Sequence, residues 1–333
     1  MADHQKGPSG EDALIARYFK PLATDPGAFG LLDDAAALDA RGEDVVVTTD
    51  AVVEGVHYLE GDPPDSIARK ALRVNLSDLA AKGATPAGFV LTLALRGAEA
   101  SWLAEFARGL EEDAGAFGCP LLGGDTVSTP GPVMISITAF GRAPRGTMVH
   151  RSGATPGDRI MVTGTIGDAT LGLDVLKGGA TAAALAGDSA ARDYLIGRYR
   201  VPQPRNALAL AVRGHASATM DVSDGLAGDL AKLCAASGVS AVVDAPCIPI
   251  SDAARAVLAR EAAGIPRLLS GGDDYEILCA VPEARVARFS EAARIAGVAL
   301  TAIGRVIAGT AAPRFLDADG AEIALQRLSY SHF

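Results

Sequence analysis

The sequence predicts a protein of two α/β domains, and three observations support that prediction. The chain has 333 residues, about the length of two domains, and 49% of them are hydrophobic, which suffices for a buried core. Short β-branched runs alternate with segments of helical periodicity. A stretch rich in Gly, Pro and Arg at 142–157 separates two such series. We therefore predict domains at 1–148 and 149–333.

The first half of the chain alternates between helical and strand patterns. Residues 11–23 carry apolar side chains at helical spacing, which predicts a helix. Residues 45–49 are β-branched throughout, which is typical of a buried strand, and this strand is expected to end at Asp50. Residues 65–82 form a long predicted helix that is closed by Gly83. Further strands are predicted at 89–95 and 133–141, with a helix at 100–118 between them.

The second half repeats this alternation with new elements. A strand is predicted at 159–163, a helix begins near Asp168, and the low-complexity residues 177–191 are expected to form a helical surface region. The remaining predictions are helices at 207–214 and 226–238, a strand followed by a turn at 218–225, and strands at 239–245, 276–282 and 300–309. These elements predict a second α/β domain.

Charge and hydropathy exclude several classes of protein. The formal net charge of −10 disfavours nucleic acid as a partner, because binding to its backbone needs clustered Lys and Arg. No apolar stretch reaches the roughly 18 residues of a membrane-spanning helix, and the N-terminal residues lack the layout of a secretory signal. We therefore expect a cytoplasmic protein. Its cysteines have neither zinc-site nor disulfide-framework spacing and are expected to be reduced core residues: Cys119, Cys234, Cys247 and Cys279.

Aspartates recur at the ends of six short apolar runs, beside Gly, Ser, Thr or Asn, from Asp33 to Asp274. One such Asp is usually a turn former or a helix cap, and capping is the alternative interpretation here. Six in one chain favour carboxylates gathered around hard cations, and Mg²⁺ is commonly held by carboxylates together with substrate phosphates. The pattern therefore predicts a magnesium-dependent phosphoryl-transfer enzyme. In an acidic protein, metal ions would bridge to a polyanion such as ATP.

Three local patterns refine this hypothesis. Asp78 lies in the last turns of a predicted helix, where the helix dipole disfavours a negative charge, so a metal or phosphate role explains it and Asn75 better than solvation does. Asp221 and Asp224 flank Ser223 at a predicted turn between strand and helix, where ordinary capping is an equal alternative. The Gly-Gly-Asp sequences at 123–125 and 271–273 are compatible with phosphate and cation binding or with simple glycine turns.

Familiar catalytic signatures are missing from the sequence. There is no GxxxxGK[ST] loop, and the segment GTIGDATLG does not fit GxGxxG. Five scattered histidines do not predict a Ser/His/Asp arrangement. His57 follows Asp50 by seven residues and is compatible with a substrate contact or with a structural role.

Taken in order, the motifs closely resemble the thiamine-monophosphate kinase family. This family belongs to an ATP-binding superfamily with aminoimidazole ribonucleotide synthetase and selenophosphate synthetase. The matching segments extend from ALIARYF to SYSHF and include TTD with a His seven residues on, NLSDLAA, GGDT, RSGA, DVSDGL and DDYE. The resemblance implies a fold in which the N-terminal domain binds ATP and magnesium and pairs in a homodimer. The C-terminal domain would close over nucleotide and substrate.

The resemblance also implies roles for individual residues. Several Mg²⁺ ions would be held by Asp34, Thr48, Thr49, Asp50, Asp78, Asp125, Asp221 and Asp224. ATP, the co-substrate, would contact Gly124, Asp125, Arg151 and Ser223. The thiamine phosphate would contact His57 and Asp273, and Tyr330 stands in for a C-terminal aromatic that stacks on the substrate ring. No dedicated catalytic acid or base is implied. The chain departs from the family pattern with Leu32 for Gly, Lys82 for Met and Asp273 for Glu.

The implied reaction is a magnesium-dependent, in-line transfer of the ATP γ-phosphoryl to thiamine monophosphate, giving thiamine diphosphate and ADP in thiamine diphosphate biosynthesis. Two alternatives stay open on sequence grounds. One is another ATP-dependent member of the superfamily, similar to aminoimidazole ribonucleotide synthetase. The other is a catalytically silent regulator that binds nucleotide and metal. Selenophosphate synthetase and the hydrogenase-maturation relative each need a terminal cysteine that this chain lacks, because its first cysteine is Cys119 and it ends with Phe333.

Overall fold

The computed structural model describes residues 29, 32–33, 36–40, 42–97, 99–260 and 264–329. Two β-sheets, each with its own helices, form within these residues. The elements of the first half are β1 (Ala36–Ala40), β2 (Glu43–Val53), α1 (Pro64–Ala81), β3 (Thr85–Leu95), α2 (Ala100–Phe117), β4 (Leu121–Ser128) and β5 (Met134–Pro144). The helix predicted at 11–23 lies outside the described residues.

The first sheet has five strands in the order β1-β2-β5-β3-β4, antiparallel except for the β3–β4 pair. Helices α1 and α2 pack on one face of the sheet and share a core with it, which includes Leu72, Leu76, Phe89, Phe106 and Ile137. The edge strand β4 is exposed along its whole length. Among the described residues, this sheet therefore buries the face that carries the helices and leaves the outer edge of β4 exposed.

The second sheet has six strands in the order β11-β8-β10-β6-β9-β7, antiparallel except for β11–β8. Its strands are β6 (Arg159–Thr163), β7 (Ala218–Asp221), β8 (Ser240–Asp244), β9 (Ile277–Val281), β10 (Leu300–Ile307) and β11 (Arg314–Leu316). The helices of this half are α3 (Asp168–Leu176), α4 (Ala180–Ala184), α5 (Ser189–Arg200), α6 (Ala209–His215), α7 (Leu226–Ser237), α8 (Asp252–Leu258), α9 (Gly264–Leu269) and α10 (Glu283–Ile295). The mostly antiparallel pairing makes the fold α/β of the α+β type.

Helix α1 joins the two halves. Pro64 opens the helix at a position that needs no N–H donor, and Gly83, with φ of +70°, ends it. Almost every residue from Ser66 to Ala81 is buried, because one side packs on the first sheet and the C-terminal end packs against Met161 and Cys279 of the second. Asp78, one turn before the helix ends, is therefore held between the two sheets.

Most of the predicted elements are confirmed, and the differences have structural reasons. The strand predicted at 45–49 continues to Val53 because it pairs with β5 along its whole length, so Asp50 lies inside the strand. The segment at 121–128 is a continuous strand that pairs with β3, and this excludes the glycine turn. Cys247 is exposed, contrary to the expectation of a core residue. No helix among the described residues has both the length and the apolar character needed to span a membrane.

Candidate active site

Five polar side chains from both halves gather near the C-terminal end of α1. Strand geometry places Thr48 and Asp50 on the same face of β2, and the Thr48 hydroxyl donates a hydrogen bond of 2.5 Å to Asp78 Oδ2. Asp221 ends β7, and Asp224 lies in the turn before α7. We call Thr48, Asp50, Asp78, Asp221 and Asp224 the carboxylate cluster.

The environment of the cluster penalises negative charge. Burial raises the pKa of Asp78 well above its usual value, and the neighbouring Asp221 and Asp50 carboxylates raise it further. Burial, with a contribution from Asp50, raises the pKa of Asp221 to about 7. Desolvation by the surrounding protein and the Asp224 carboxylate raise the pKa of Asp50 to about 6, although its side chain still reaches solvent. Bound cations would remove this repulsion.

The donor set of the cluster fits magnesium. Every side chain in it offers oxygen, the ligand that Mg²⁺ prefers. Within the described part of the chain, no three His, Cys, Asp or Glu side chains converge closely enough to hold an ion by themselves. Mg²⁺ at the cluster would therefore need waters or substrate phosphates as further ligands.

Three lysines neutralise acids around the cluster. The Lys82 ammonium lies 2.5 Å from Asp33 Oδ1, and Lys232 lies 2.5 Å from Asp224 Oδ2. Lys70 contacts Asp273 Oδ2 at 3.0 Å. For Asp33, burial alone would raise the pKa, but hydrogen bonds and the Lys82 charge outweigh it and lower the value to about 2. Asp33 is therefore anchored by this lysine.

The segment at 271–276 has an unusual backbone. Asp273 and Tyr275 adopt φ values of +72° and +51°, in the left-handed region that side chains rarely occupy. Hydrogen bonds fix Asp274, which lies between these two residues. Its carboxylate accepts from the Gly167 and Ala169 amides at 2.7 and 3.3 Å. Such strain persists only where the surroundings hold it, and it is common at functional sites.

The Glu276 carboxylate anchors the other end of this segment. It accepts hydrogen bonds from Arg198 Nη2 at 2.8 Å, from Arg205 Nε at 2.7 Å and from the Thr163 hydroxyl at 2.7 Å. Between the two anchors, burial raises the pKa of the Tyr275 phenol, and nearby carboxylates that include Asp273 and Asp50 raise it further. The Tyr275 phenol is therefore neutral and lies near carboxylates of both the 271–276 segment and the carboxylate cluster.

The predicted site residues are only partly brought together. Thr49 lies on the opposite face of β2 from Asp50, and its hydroxyl donates to the Ile137 carbonyl at 3.2 Å. The Asn75 amide donates to the Ala71 carbonyl of its own helix at 3.0 Å. The Arg151 amide donates to Asp33 Oδ2 at 2.8 Å. Asp34 and Tyr330 lie outside the described residues, so their roles stay predictions.

Gly124 and Asp125 lie apart from the carboxylate cluster. Their strand, β4, is separated from β2 by two strands, which amounts to roughly 14 Å at about 4.8 Å per step. The Asp125 carboxylate accepts a hydrogen bond from the Thr126 amide at 2.8 Å. Within one chain, the structure therefore does not place Asp125 beside Asp50.

Gly124 is required by packing, whatever it binds. A Cβ built at this position would lie 2.0 Å from the Leu91 carbonyl oxygen, whereas one at Gly123 meets nothing within 4 Å. We expect Gly124→Ala to lower the free energy of unfolding by about 1 to 3 kcal/mol, because β3 and β4 must move apart. Gly123→Ala is the matched control, and urea unfolding measures both. Equal stability of the two variants would contradict this account.

Sequence reasoning missed several residues of the site. Lys70 and Lys82 have partners far away in the chain, and the sequence analysis assigned no role to them or to Lys232 and Tyr275, although Tyr275 stands in the DDYE segment. The rarity of lysine could have pointed to these lysines, because arginine supplies most of the positive charges of the chain. The described residues contain four lysines, and of these Lys177 alone does not contact an acid around the carboxylate cluster.

Comparison with known families matches both halves of the chain. Residues 32–143 match the N-terminal domain of AIR synthase related proteins, and residues 155–313 match their C-terminal domain. The thiamine-monophosphate kinase of Caulobacter vibrioides is 45% identical over 324 residues, which cover 96% of this chain and 89% of that protein.

Solved structures agree with this relationship. The thiamine-monophosphate kinase of Stenotrophomonas maltophilia is 39% identical, with a TM-score of 0.77 over 95% of this chain and 98% of that one. AaThiL complexed with AMPPCP and TMP is 28% identical, with a TM-score of 0.79 over 92% and 97% of the two chains. The resemblance therefore spans both sheets and the acidic site between them. The chain belongs to the thiamine-monophosphate kinases of the AIR synthase related family.

Proposed function

We propose that this protein transfers the γ-phosphoryl group of ATP to thiamine monophosphate, giving thiamine diphosphate and ADP. The observation that carries the proposal is the carboxylate cluster, in which Thr48 of β2 donates a hydrogen bond to Asp78 of α1, and the Asp221 and Asp50 carboxylates raise the pKa of Asp78. Family membership supplies the substrates, since one relative was solved with AMPPCP, an ATP analogue, and TMP. A cytoplasmic location belongs to the same proposal because ATP is the donor.

The reaction joins two anions and needs no strong base. The acceptor is a phosphate oxygen that is largely deprotonated at neutral pH, since its second pKa is near 6. Mg²⁺ at the cluster would neutralise the phosphates and stabilise charge in the transferring group. Asp50, Asp78, Asp221 and Asp224 would hold the metal, with Thr48 orienting Asp78 through its hydrogen bond. The predicted ligands Asp34, Thr48 and Asp125 complete the proposed metal set, from which Thr49 is left out because its side chain lies on the opposite face of β2 from Asp50. The proposed ATP contacts are Gly124, Asp125, Arg151 and Ser223.

His57 is suited to bind a phosphate. Its Nδ1 accepts a hydrogen bond from the Val53 amide at 3.0 Å, which places the ring hydrogen of the neutral imidazole on Nε2. That N–H can donate to an acceptor oxygen. We assign His57, Asp273 and Tyr330 to the acceptor. The N-terminal half would carry ATP and metal, and the C-terminal half would close over nucleotide and substrate.

A homodimer through the first sheet is also part of the proposal. In the part of the chain that the structure describes, strand β4 pairs on one side only, and it exposes Leu121, Leu122 and Val127 by 53%, 61% and 44%. An exposed apolar edge strand favours pairing with another chain. A second copy seated there would place Asp125 at the subunit interface, which explains its distance from Asp50. Light scattering is expected to give twice the chain mass, and a monomer would contradict this part of the proposal.

The test of the reaction is acceptor-dependent ADP release. Purified protein with Mg-ATP is expected to release ADP with thiamine monophosphate and not with free thiamine. ATP binding without ADP release on either acceptor would favour the silent regulator. ADP release only with another superfamily substrate, such as the precursor of aminoimidazole ribonucleotide, would favour that relative.

A further inference from the structure

Lys70 is a buried ammonium that lies between the two halves of the protein. It belongs to α1, and 2% of its surface is exposed. Its Nζ donates to the His57 carbonyl at 2.8 Å and to Asp273 Oδ2 at 3.0 Å. It also lies 3.8 Å from the centre of the Tyr199 ring. A buried charge is tolerated where it is paired and hydrogen-bonded, and here a carboxylate, a carbonyl and an aromatic face provide that.

Lys70 joins two residues that come from different halves of the protein. His57 follows β2 in the first half, whereas Asp273 belongs to the strained segment before β9 in the second. The His57 carbonyl also accepts a hydrogen bond from the Tyr199 hydroxyl at 3.1 Å, so two donors converge on it. The Asp273 amide donates to the Ser223 carbonyl at 2.8 Å. Lys70 therefore links the two halves through its hydrogen bonds to His57 and Asp273.

We propose that Lys70 is the positioning residue of the acceptor site. It holds His57 and Asp273 at a fixed separation across the two halves, so that both contact thiamine monophosphate in one geometry. This inference rests on the proposed function, in which these two residues bind the acceptor. Lys70 acts through them, and its loss therefore affects the acceptor and leaves ATP binding nearly unchanged.

The Lys70→Met variant tests the inference, because methionine fills similar space without charge or N–H donors. We expect the KM for thiamine monophosphate to rise at least ~10-fold and the KM for ATP to stay within about 2-fold. Calorimetric titration of thiamine monophosphate into the protein with a non-hydrolysable ATP analogue should show the same loss of affinity. Lys177→Met, at an exposed site after α3, is the matched control and should match the wild type.

A double-mutant cycle separates positioning from direct contact. If Lys70 acts through Asp273, adding Lys70→Met to Asp273→Asn should change the acceptor KM by less than about 3-fold. Lys70→Gln keeps an N–H donor for the His57 carbonyl and is the second variant where Lys70→Met does not fold. The same acceptor-specific rise is expected for it.

Four results would overturn the inference that Lys70 is a positioning residue. Wild-type protein that makes no thiamine diphosphate removes the proposed function and the inference together. With an active wild type, an unchanged acceptor KM removes only the inference. An equal rise of both KM values also removes it, because Lys70 would then have a general structural role. Additivity in the cycle removes it as well, because Lys70 would then not act through Asp273.

Discussion

The Asp50→Ala variant is expected to lose turnover by at least ~10³-fold, which corresponds to about 4 kcal/mol of transition-state stabilisation. Asp50 lies inside β2 with its side chain open to solvent, and it interacts with Asp224, Asp78 and Asp221. Removing it takes one carboxylate from the proposed magnesium set. It also relieves repulsion within the carboxylate cluster, so the fold should be retained. Initial rates of ADP release and circular dichroism measure the two effects.

Asp319→Ala is the matched control for this variant. Asp319 lies in an exposed turn after β11, away from the cluster. The Asp319→Ala variant should keep wild-type turnover and stability, since surface changes of this kind usually alter stability by less than about 0.5 kcal/mol. Near-normal activity of Asp50→Ala would remove the carboxylate cluster from the reaction.

The second large effect concerns Asp221, whose neutralisation should stabilise the protein while it inactivates the enzyme. Asp221 is 3% exposed, and burial together with neighbouring carboxylates raises its pKa to about 7. In metal-free buffer at pH 8, Asp221→Asn should raise the free energy of unfolding by about 1 to 3 kcal/mol, since position 221 then carries no buried charge. Turnover should fall by at least ~10²-fold because a proposed metal ligand is lost.

The raised pKa of Asp221 determines how the stability of the folded protein changes with pH. The folded pKa of Asp221 lies above the usual unfolded value of about 3.9, so the folded state holds its proton more tightly. Its contribution to stability is fully present below about pH 4 and is lost as pH rises through 7. Urea unfolding with a chelator at pH 5 and pH 8 should show the wild type weakening more than Asp221→Asn. Asp319→Asn should follow the wild type, and an equal loss in all three proteins would contradict the account.

Local sequence patterns predicted the helices and strands well, because the residues that start and end an element are part of it or adjacent to it. Helix α1 carries its boundaries in its own sequence, Pro64 at the start and Gly83 after the end, and the structure confirms it to within a residue. The metal or phosphate role predicted for Asp78 also came from local physics, since an acid near a helix C-terminus is unfavourable without a partner. The extent of β2 was underestimated because strand length depends on pairing with β5, which is distant in sequence.

The arrangement of the candidate site depended on long-range contacts that no motif encodes. Lys82 departs from the family pattern, and the structure explains it as the partner of Asp33. Lys70 and Asp273 are 203 residues apart in the chain. Asp125 stands in a motif like those of the cluster, yet the order of strands in the sheet places it elsewhere. Motifs therefore indicated candidate residues, while sheet topology decides which of these candidates lie close together.

Phosphorus NMR of the purified protein with Mg-ATP tests the central claim most directly. Spectra are recorded with thiamine monophosphate and, separately, with free thiamine. The account predicts signals of thiamine diphosphate and ADP that grow together with the monophosphate, and no diphosphate from thiamine. Diphosphate from free thiamine, or no product from the monophosphate while ATP stays bound, would contradict it.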